Sequence, residues 1–155
     1  MVARTLLNVT SDLLKLFDRD CEKLIAELEL FESEAALWAV AAGVSNAAGN
    51  LALHIVGNLN QYIGVRLGGT DYLRDRPAEF GSRDIPRHEL IARVSATKTM
   101  LETVLVRLDA AQLEEIYPEE VMGYAMTTRY FLIHLYGHLN YHLGQVNYLR
   151  RVLHG

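Results

Sequence analysis

Prolines stand at only three positions of the chain, 77, 86 and 118, and each falls between stretches of regular apolar spacing rather than inside one. Proline removes a backbone donor and clashes with the preceding turn, so a chain punctuated this way leaves room for long uninterrupted helices. Four segments use that room. In the first, Leu7, Thr10, Leu14, Phe17, Cys21, Leu24, Leu28 and Phe31 step by three and four, the seam spacing of a bundle helix. The second runs from about Asn46, expected as its N-cap, to Leu67, where Gly68 and Gly69 stop it. The third starts near Pro86, tolerated in a first turn with Asp84 just ahead, and carries Leu90, Val94, Thr97, Leu101, Val104 and Leu108. The fourth runs from about Thr127 to Leu153.

No segment competes as a strand, because runs such as VLV at 104–106 sit inside helical periods and lack flanking turn signals. The expectation is an all-α fold, a four-helix bundle, built as one domain over residues 1–155. That length supports a core without disulfides or a structural metal. The connections, 32–45, 68–85 and 109–125, are long, and the last holds a short helix around AQLEEIY. Links of that length in a compact bundle are functional or cover something. The middle one, GGTDYLRDRPAEFGSRDI, is long enough to cross the end of the bundle, so the second and third helices can run as parallel neighbours.

Several function classes drop out. Fifteen basic residues against 19 acidic ones give a net charge of −4, and no basic run exists to track phosphates, which argues against nucleic acid as a partner. Cys21 is the only cysteine, so one chain builds neither a disulfide nor a thiolate cluster, and its place in an apolar stripe reads as an inert buried thiol. Charges interrupt the first residues, no cleavage site follows a compact apolar core, and no apolar run approaches about eighteen residues. A cytoplasmic protein without a membrane span is expected. There is no glycine-rich phosphate loop, serine elbow or HExxH motif, and the Glu-x-x-His pairs of a di-iron carboxylate bundle are missing.

The chemistry concentrates in HLYGHLNYHLGQ, His134 to Gln145, which places three histidines four residues apart in the fourth helix. At about 100° per residue, with His138 at zero, Phe131 and Leu149 lie at about +20°, His142 at +40°, Leu135 at +60° and Gln145 at −20°. His138 and His142 therefore share the inner apolar stripe. His134 lies at its edge, about −40°, and about 12 Å along the axis from His142, so those two cannot share one ion. Residues four apart bring Cβ atoms to about 5 to 6 Å, which lets two imidazoles meet a metal at about 2.0 to 2.1 Å. The second helix repeats the pattern: with His54 at zero, Asn58 lies at about +40° and Gln61 at −20°, beside Leu51 and Val65. Two readings follow. His54, Asn58, Gln61, His138, His142 and Gln145 form one internal hydrogen-bond network that fixes helix register, or His54 completes a three-histidine metal site with Gln61 or Gln145 orienting ligands or water. The metal reading is favoured, since one divalent ion satisfies three imidazole acceptors at once.

NLALHIVGNLNQYI in the second helix, paired with HLNYHLGQVNYLRR in the fourth, resembles the DinB-like superfamily. Within it the likeness is to an uncharacterised branch whose second helix also reads asparagine-leucine, then histidine, then glycine-asparagine-leucine. RDRPAEF, Arg74 to Phe80, is similar to an arginine and glutamate-phenylalanine element of that branch. The likeness covers most of the chain from Asn50 onward, and the first helix fits by pattern only. It implies a four-helix bundle of up-down-down-up order with a divalent metal, most often zinc or nickel, on His54, His138 and His142. His134 is extra to that ligand set, as a residue that supports a ligand, contacts substrate or meets a backbone carbonyl. The resemblance further implies a homodimer, and a metal-dependent transferase or isomerase that uses a low-molecular-weight thiol.

Three neutral histidines leave a tetrahedral ion with at least one open position, the mark of a catalytic rather than a closed site. The leading expectation is thus a thiol S-transferase-like enzyme in which the metal activates a thiol, or water, against a small electrophile. No residue stands out as general base. Glu79 and Arg76 lie within reach in the middle connection, although a charged loop cluster of this kind reads first as a solvated salt-bridge network. The alternative is a non-catalytic metal-binding or structural and interaction protein. Tyr130, Gly137, Tyr141, Gly144 and Tyr148 on the fourth helix suit an interaction face as well as internal packing. Imidazole ligands alone do not select among zinc, nickel, copper and iron.

Overall fold

The computed structural model describes residues 2–154, with side chains from Val9 onward, and among these residues the fold is all-α. Seven helices follow one another: α1 (Val2–Leu30), α2 (Glu34–Trp38), α3, α4 (Arg76–Gly81), α5 (Arg87–Leu105), α6 (Ala110–Glu114) and α7 (Thr128–His154). Helix α3 begins as Ala48–Leu59 and continues unbroken through a π-helical turn, Asn60–Val65, into a last α-turn, Arg66–Gly68. The four long helices, α1, α3, α5 and α7, occupy the four stretches of regular apolar spacing. A single isolated bridge, Ile116 with Thr127, is the only β pairing among the described residues.

The inner stripes are close to those expected. In α1, Thr10, Phe17, Cys21, Leu24 and Leu28 are buried, with Phe31 just beyond its end, but Leu13 takes the core place assigned to Leu14. Leu7 lies outside the described side chains. In α5 and just beyond it, Leu90, Val94, Thr97, Leu101, Val104 and Leu108 are all buried. Two helix starts differ. Ala47, not Asn46, caps α3, and no side chain accepts there; Pro86 is the cap residue of α5, and the orphan Arg87 N–H donates to Glu34 Oε2 at 2.9 Å. Gly69 ends α3 in the left-handed region at φ 66°, where its missing Cβ avoids the steric cost. The short helices α2 and α4 fall in stretches read from sequence as connections, and their N-caps, Ser33 and Asp75, account for them.

Side-chain pairs set how the long helices run. Arg87 at the start of α5 donates to the carbonyls of Glu29 and Phe31 at the end of α1, and Lys98 farther along α5 meets Asp18, so α1 and α5 are opposed. Arg19 reaches Tyr136 and Asn147 reaches Glu27, so α1 and α7 run together. Tyr62 stands over Phe131 while His54 stands by His138, which opposes α3 to α7. Asn60 donates to Thr97, and Met100 approaches Gly64, so α3 and α5 run together. Fully buried Asp20 accepts from Arg19, Tyr136 and Asn140, a polar node that ties α1 to α7 away from the histidines.

Candidate metal centre

Helix α3 presents His54 and helix α7 presents His138 and His142 to the same point. His54 is 7 % exposed, and the other two are half-buried. Their Nε2 atoms converge: His54 to His138 at 3.2 Å and His142 to His138 at 3.0 Å. The three rings stand at 78° to 89° to one another, edge to face, so each points its nitrogen inward without stacking. Ligands at about 2.0 to 2.1 Å in a tetrahedral shell lie about 3.3 Å apart. The two contacts of His138 are already within a few tenths of an ångström of that spacing, all three ligand atoms lie within 4.8 Å of one another, and they form the one grouping of three potential metal ligands among the described residues.

The outer ring nitrogens decide what the inner ones can do. His54 Nδ1–H donates to Glu79 Oε2 at 2.9 Å, and His142 Nδ1–H donates to Gln145 Oε1 at 2.7 Å. In a neutral ring a proton on Nδ1 leaves Nε2 as a lone pair. His54 and His142 therefore both aim lone pairs at His138 Nε2, which has at most one hydrogen to give. At least one close N···N contact is acceptor against acceptor, a conflict that a cation at the centre removes. The residues fit a divalent ion on this ground as well as on distance.

The middle connection fixes His54. Arg74 binds Glu79 through two bonds, Nε to Oε1 at 2.7 Å and Nη2 to Oε2 at 3.0 Å, and Glu79 is 5 % exposed. Burial pushes the Glu79 carboxyl up, but the bonds from His54 and Arg74 outweigh it and hold the group below the usual carboxylate range. Burial, then the neighbouring His142, His54, His134 and Arg74, push His138 down to about 3. Burial also lowers His142, with the Gln145 bond opposing it. Both rings thus stay neutral, as ligands must. Helix α4 is itself pinned to α3: fully buried Asn50 donates to the carbonyls of Glu79 and Ser82, each at 3.0 Å, and accepts from Arg83 at 2.9 Å. Phe80 covers His54 at 4.9 Å between ring centres.

Gly57, one turn after His54, is what lets Glu79 come so close. A Cβ there would fall 2.6 Å from Glu79 Cδ and closer still to Oε1. The reading of Glu79 and Arg76 as a solvated cluster is therefore corrected: Glu79 is buried against a candidate ligand, and its arginine partner is Arg74. The burial of one more polar loop residue has no signature in periodicity. A glycine isolated inside a buried helix was the available sign of close approach.

The other expected residues divide. Gln145 holds His142. Asn58 and His134 line a cavity of about 340 Å³ that opens beside His54 and His138, shared with Tyr62, Arg74, Arg76, Phe131 and Leu135. His134 lies stacked between Phe131 and His138, at 5.8 and 6.5 Å between centres, outside the convergent trio. Gln61 is not brought to the site. It is half-buried in the π-helical turn, about 10 Å along the axis from His54, and lies outside that cavity's lining. The wider i→i+5 turn also breaks the 100° count beyond Leu59. Asn60 supports the turn, donating to Val56 O and Thr97 Oγ1, each at 2.8 Å. Cys21 is buried and its thiol is pushed up to about 12 by that burial, so it is inert. No helix among the described residues is long and apolar enough to cross a membrane. No protein-family model matches the chain, and no curated protein matches it.

Proposed function

We propose that this chain is a metal-dependent enzyme of the thiol S-transferase type found in the DinB-like superfamily, with zinc or nickel on His54, His138 and His142. The observation that carries the reading is the convergence of three imidazole nitrogens, two of them fixed as acceptors by Glu79 and Gln145, beside an open cavity. The helix directions support it: α1 with α7, α3 with α5, and the two pairs opposed, is the up-down-down-up order of a four-helix bundle. A divalent ion held by His54, His138 and His142 would lower the pKa of a bound thiol or water and supply a nucleophile at neutral pH. The chain's own part is orientation. Glu79 and Gln145 set the ring tautomers, Arg74 holds Glu79, and Phe80 covers His54. His134 shares the cavity without joining the ligand set, placed to exchange a proton with an occupant.

The partner side of the reading is a homodimer in the cytoplasm. Tyr130, Ile133, Tyr141, Tyr148 and Val152 form one exposed stripe along α7, with Gly137 and Gly144 between them, where an added Cβ would meet no other residue within 4 Å. Metal analysis of protein purified without a polyhistidine tag tests the site. About one zinc or nickel per chain is expected, falling sharply in His54→Ala, His138→Ala and His142→Ala. Conjugation of cellular thiols to chlorodinitrobenzene or monochlorobimane by the loaded protein, lost in His54→Ala, tests the activity. Metal retained with silence across that panel would favour the non-catalytic reading, which the exposed stripe also suits.

A further inference from the structure

The trio stands partway along the seam between α3 and α7. The cavity already described opens on the side of Asn58 and Phe131; a second one, of about 440 Å³, opens on the other side, between the start of α3, the end of α7 and the connection after α2. Ala41, Ala42, Val44, Leu51, Leu149 and Val152 supply its apolar wall, and no charged side chain among the described residues lines it. Val44 and Val152 are 45 % and 62 % exposed, so the wall leaves apolar area in water for an occupant to cover. A volume of this size suits a small organic molecule with a ring or two. With no charge in the wall to meet an ion, that molecule is neutral.

Gln145 sets the polar requirement. Its Oε1 is taken by His142 Nδ1–H at 2.7 Å, which turns the amide nitrogen away from the imidazole. That Nε2 has no protein partner among the described residues, and it is not one of the buried polar atoms left unpartnered, so it reaches open space. Gln145 lines this second cavity and not the one beside Asn58. Its N–H groups therefore call for an acceptor on the occupant, and beside an uncharged apolar wall a carbonyl oxygen supplies one without bringing a charge.

We propose that this cavity binds a neutral ring compound carrying a ketone or similar carbonyl, with its rings on the apolar wall and its oxygen accepting from Gln145 Nε2. One side chain then serves two sites, its oxygen on His142 and its nitrogen on the carbonyl. Binding here needs neither a metal nor a thiol, so the proposal stands or falls separately from the function proposed above.

Prodan, a neutral naphthalene bearing a ketone, serves as the probe, because its emission moves to the blue on entering apolar surroundings. Titrated into tag-free protein, metal-free and zinc-loaded, it binds saturably in both forms with a Kd on the order of 10 to 100 µM. Ala42→Trp, a change at an exposed position, fills the cavity and weakens binding about tenfold or more. Displacement by the analogue with CH2 in place of the ketone carbonyl gives a ratio of affinities. In Gln145→Leu that ratio falls about threefold to tenfold, as expected for one neutral hydrogen bond, and whatever the analogue gains from being more apolar cancels between the two proteins. No saturable blue shift, an unchanged ratio in Gln145→Leu, or full binding by Ala42→Trp overturns the proposal. Tyr148 and Val152 also stand on the exposed stripe of α7, so a second copy of the chain is the competing occupant. Binding by a monomeric Tyr141→Glu protein but not by the unaltered one would give the cavity to the face between copies and overturn the proposal as well.

Discussion

Gly57→Ala is the smallest change that separates the carboxylate from the imidazole it orients. The added Cβ would lie 2.6 Å from Glu79 Cδ and closer still to Oε1, and ordinary contact begins at 3.4 Å, so the carboxyl must retreat by more than about 0.8 Å, the nearer oxygen setting the distance. It is held at both oxygens, by His54 at 2.9 Å and by Arg74 at 2.7 and 3.0 Å, and α4 behind it is pinned by Asn50. A shift of that size away from α3 stretches the His54 bond beyond hydrogen-bonding range. Losing a charge-assisted bond costs about 1.5 to 3 kcal/mol, whereas alanine for glycine inside a helix returns about 1 kcal/mol, so the metal-free variant should be less stable by about 0.5 to 2 kcal/mol. The larger effect falls on the site: with the His54 tautomer no longer fixed, metal affinity should drop about 10- to 100-fold. Zinc competition against a chromophoric chelator reads the affinity, and urea unfolding reads the stability. Glu79→Gln is the companion, since its amide oxygen can still accept from Nδ1–H, and it should lose less affinity than Gly57→Ala. A Gly57→Ala protein that binds zinc as tightly as the unaltered chain would refute the claim that Glu79 orients His54.

Metal should be retained on acidification below the ordinary histidine range. His138 is pushed down to about 3 and His142 is also lowered, so protons compete with the ion later than at a solvent-exposed histidine cluster. Metal release followed from pH 7 to 4 should have its midpoint clearly below 6.5. The same shifts fix the sign for the metal-free protein. The unfolded chain takes up protons as pH falls through about 6.5 while the folded rings resist, so stability falls from that pH toward about 3. A melting temperature flat between pH 7 and 4.5 would contradict it. For the dimer, Tyr141→Glu at the middle of the α7 stripe should yield a monomer by light scattering with an unchanged helical spectrum, because Tyr141 is 65 % exposed. Monomeric unaltered protein at micromolar concentration would remove the stripe as a dimer face.

The helices were legible because their signal is local. The prolines and the three-four stepping of Leu90 through Leu108 are properties of neighbouring residues, and burial followed them. His138 and His142 were legible for the same reason, as one helix fixes their relation. His54 required a guess about which two helices face each other, and polar residues on both inner stripes supplied it. Glu79 was read as within reach of the site but solvated, and Arg74 was not read as its partner. Nothing periodic marks them, and their burial depends on a six-residue helix folding back onto α3 through Asn50 and into the space Gly57 leaves. Gln61 failed for the opposite reason: a regular count was carried into a turn that is not regular.

Sequence left two readings of the polar stripes, a register-fixing network or a metal site, and the tautomers now make them opposable by one experiment. If the trio is a network, it stabilises the metal-free fold, and removing its central member costs stability. If it is a metal site, two lone pairs face His138 at 3.0 and 3.2 Å with one hydrogen between them at most, and the bare cluster is strained. His138→Leu, similar in size and apolar, removes that contact and adds buried carbon beside Leu135. On the metal reading the metal-free variant melts at or above the metal-free unaltered protein, and zinc moves only the latter. Ligand at about a hundred times its Kd adds about 2.7 kcal/mol, which at about 2 to 4 °C per kcal/mol for a chain of this length is a rise of about 5 to 10 °C. A metal-free His138→Leu protein that melts several degrees below the metal-free original would mean that the histidines hold the helices together by themselves, and the ion would lose its structural rationale.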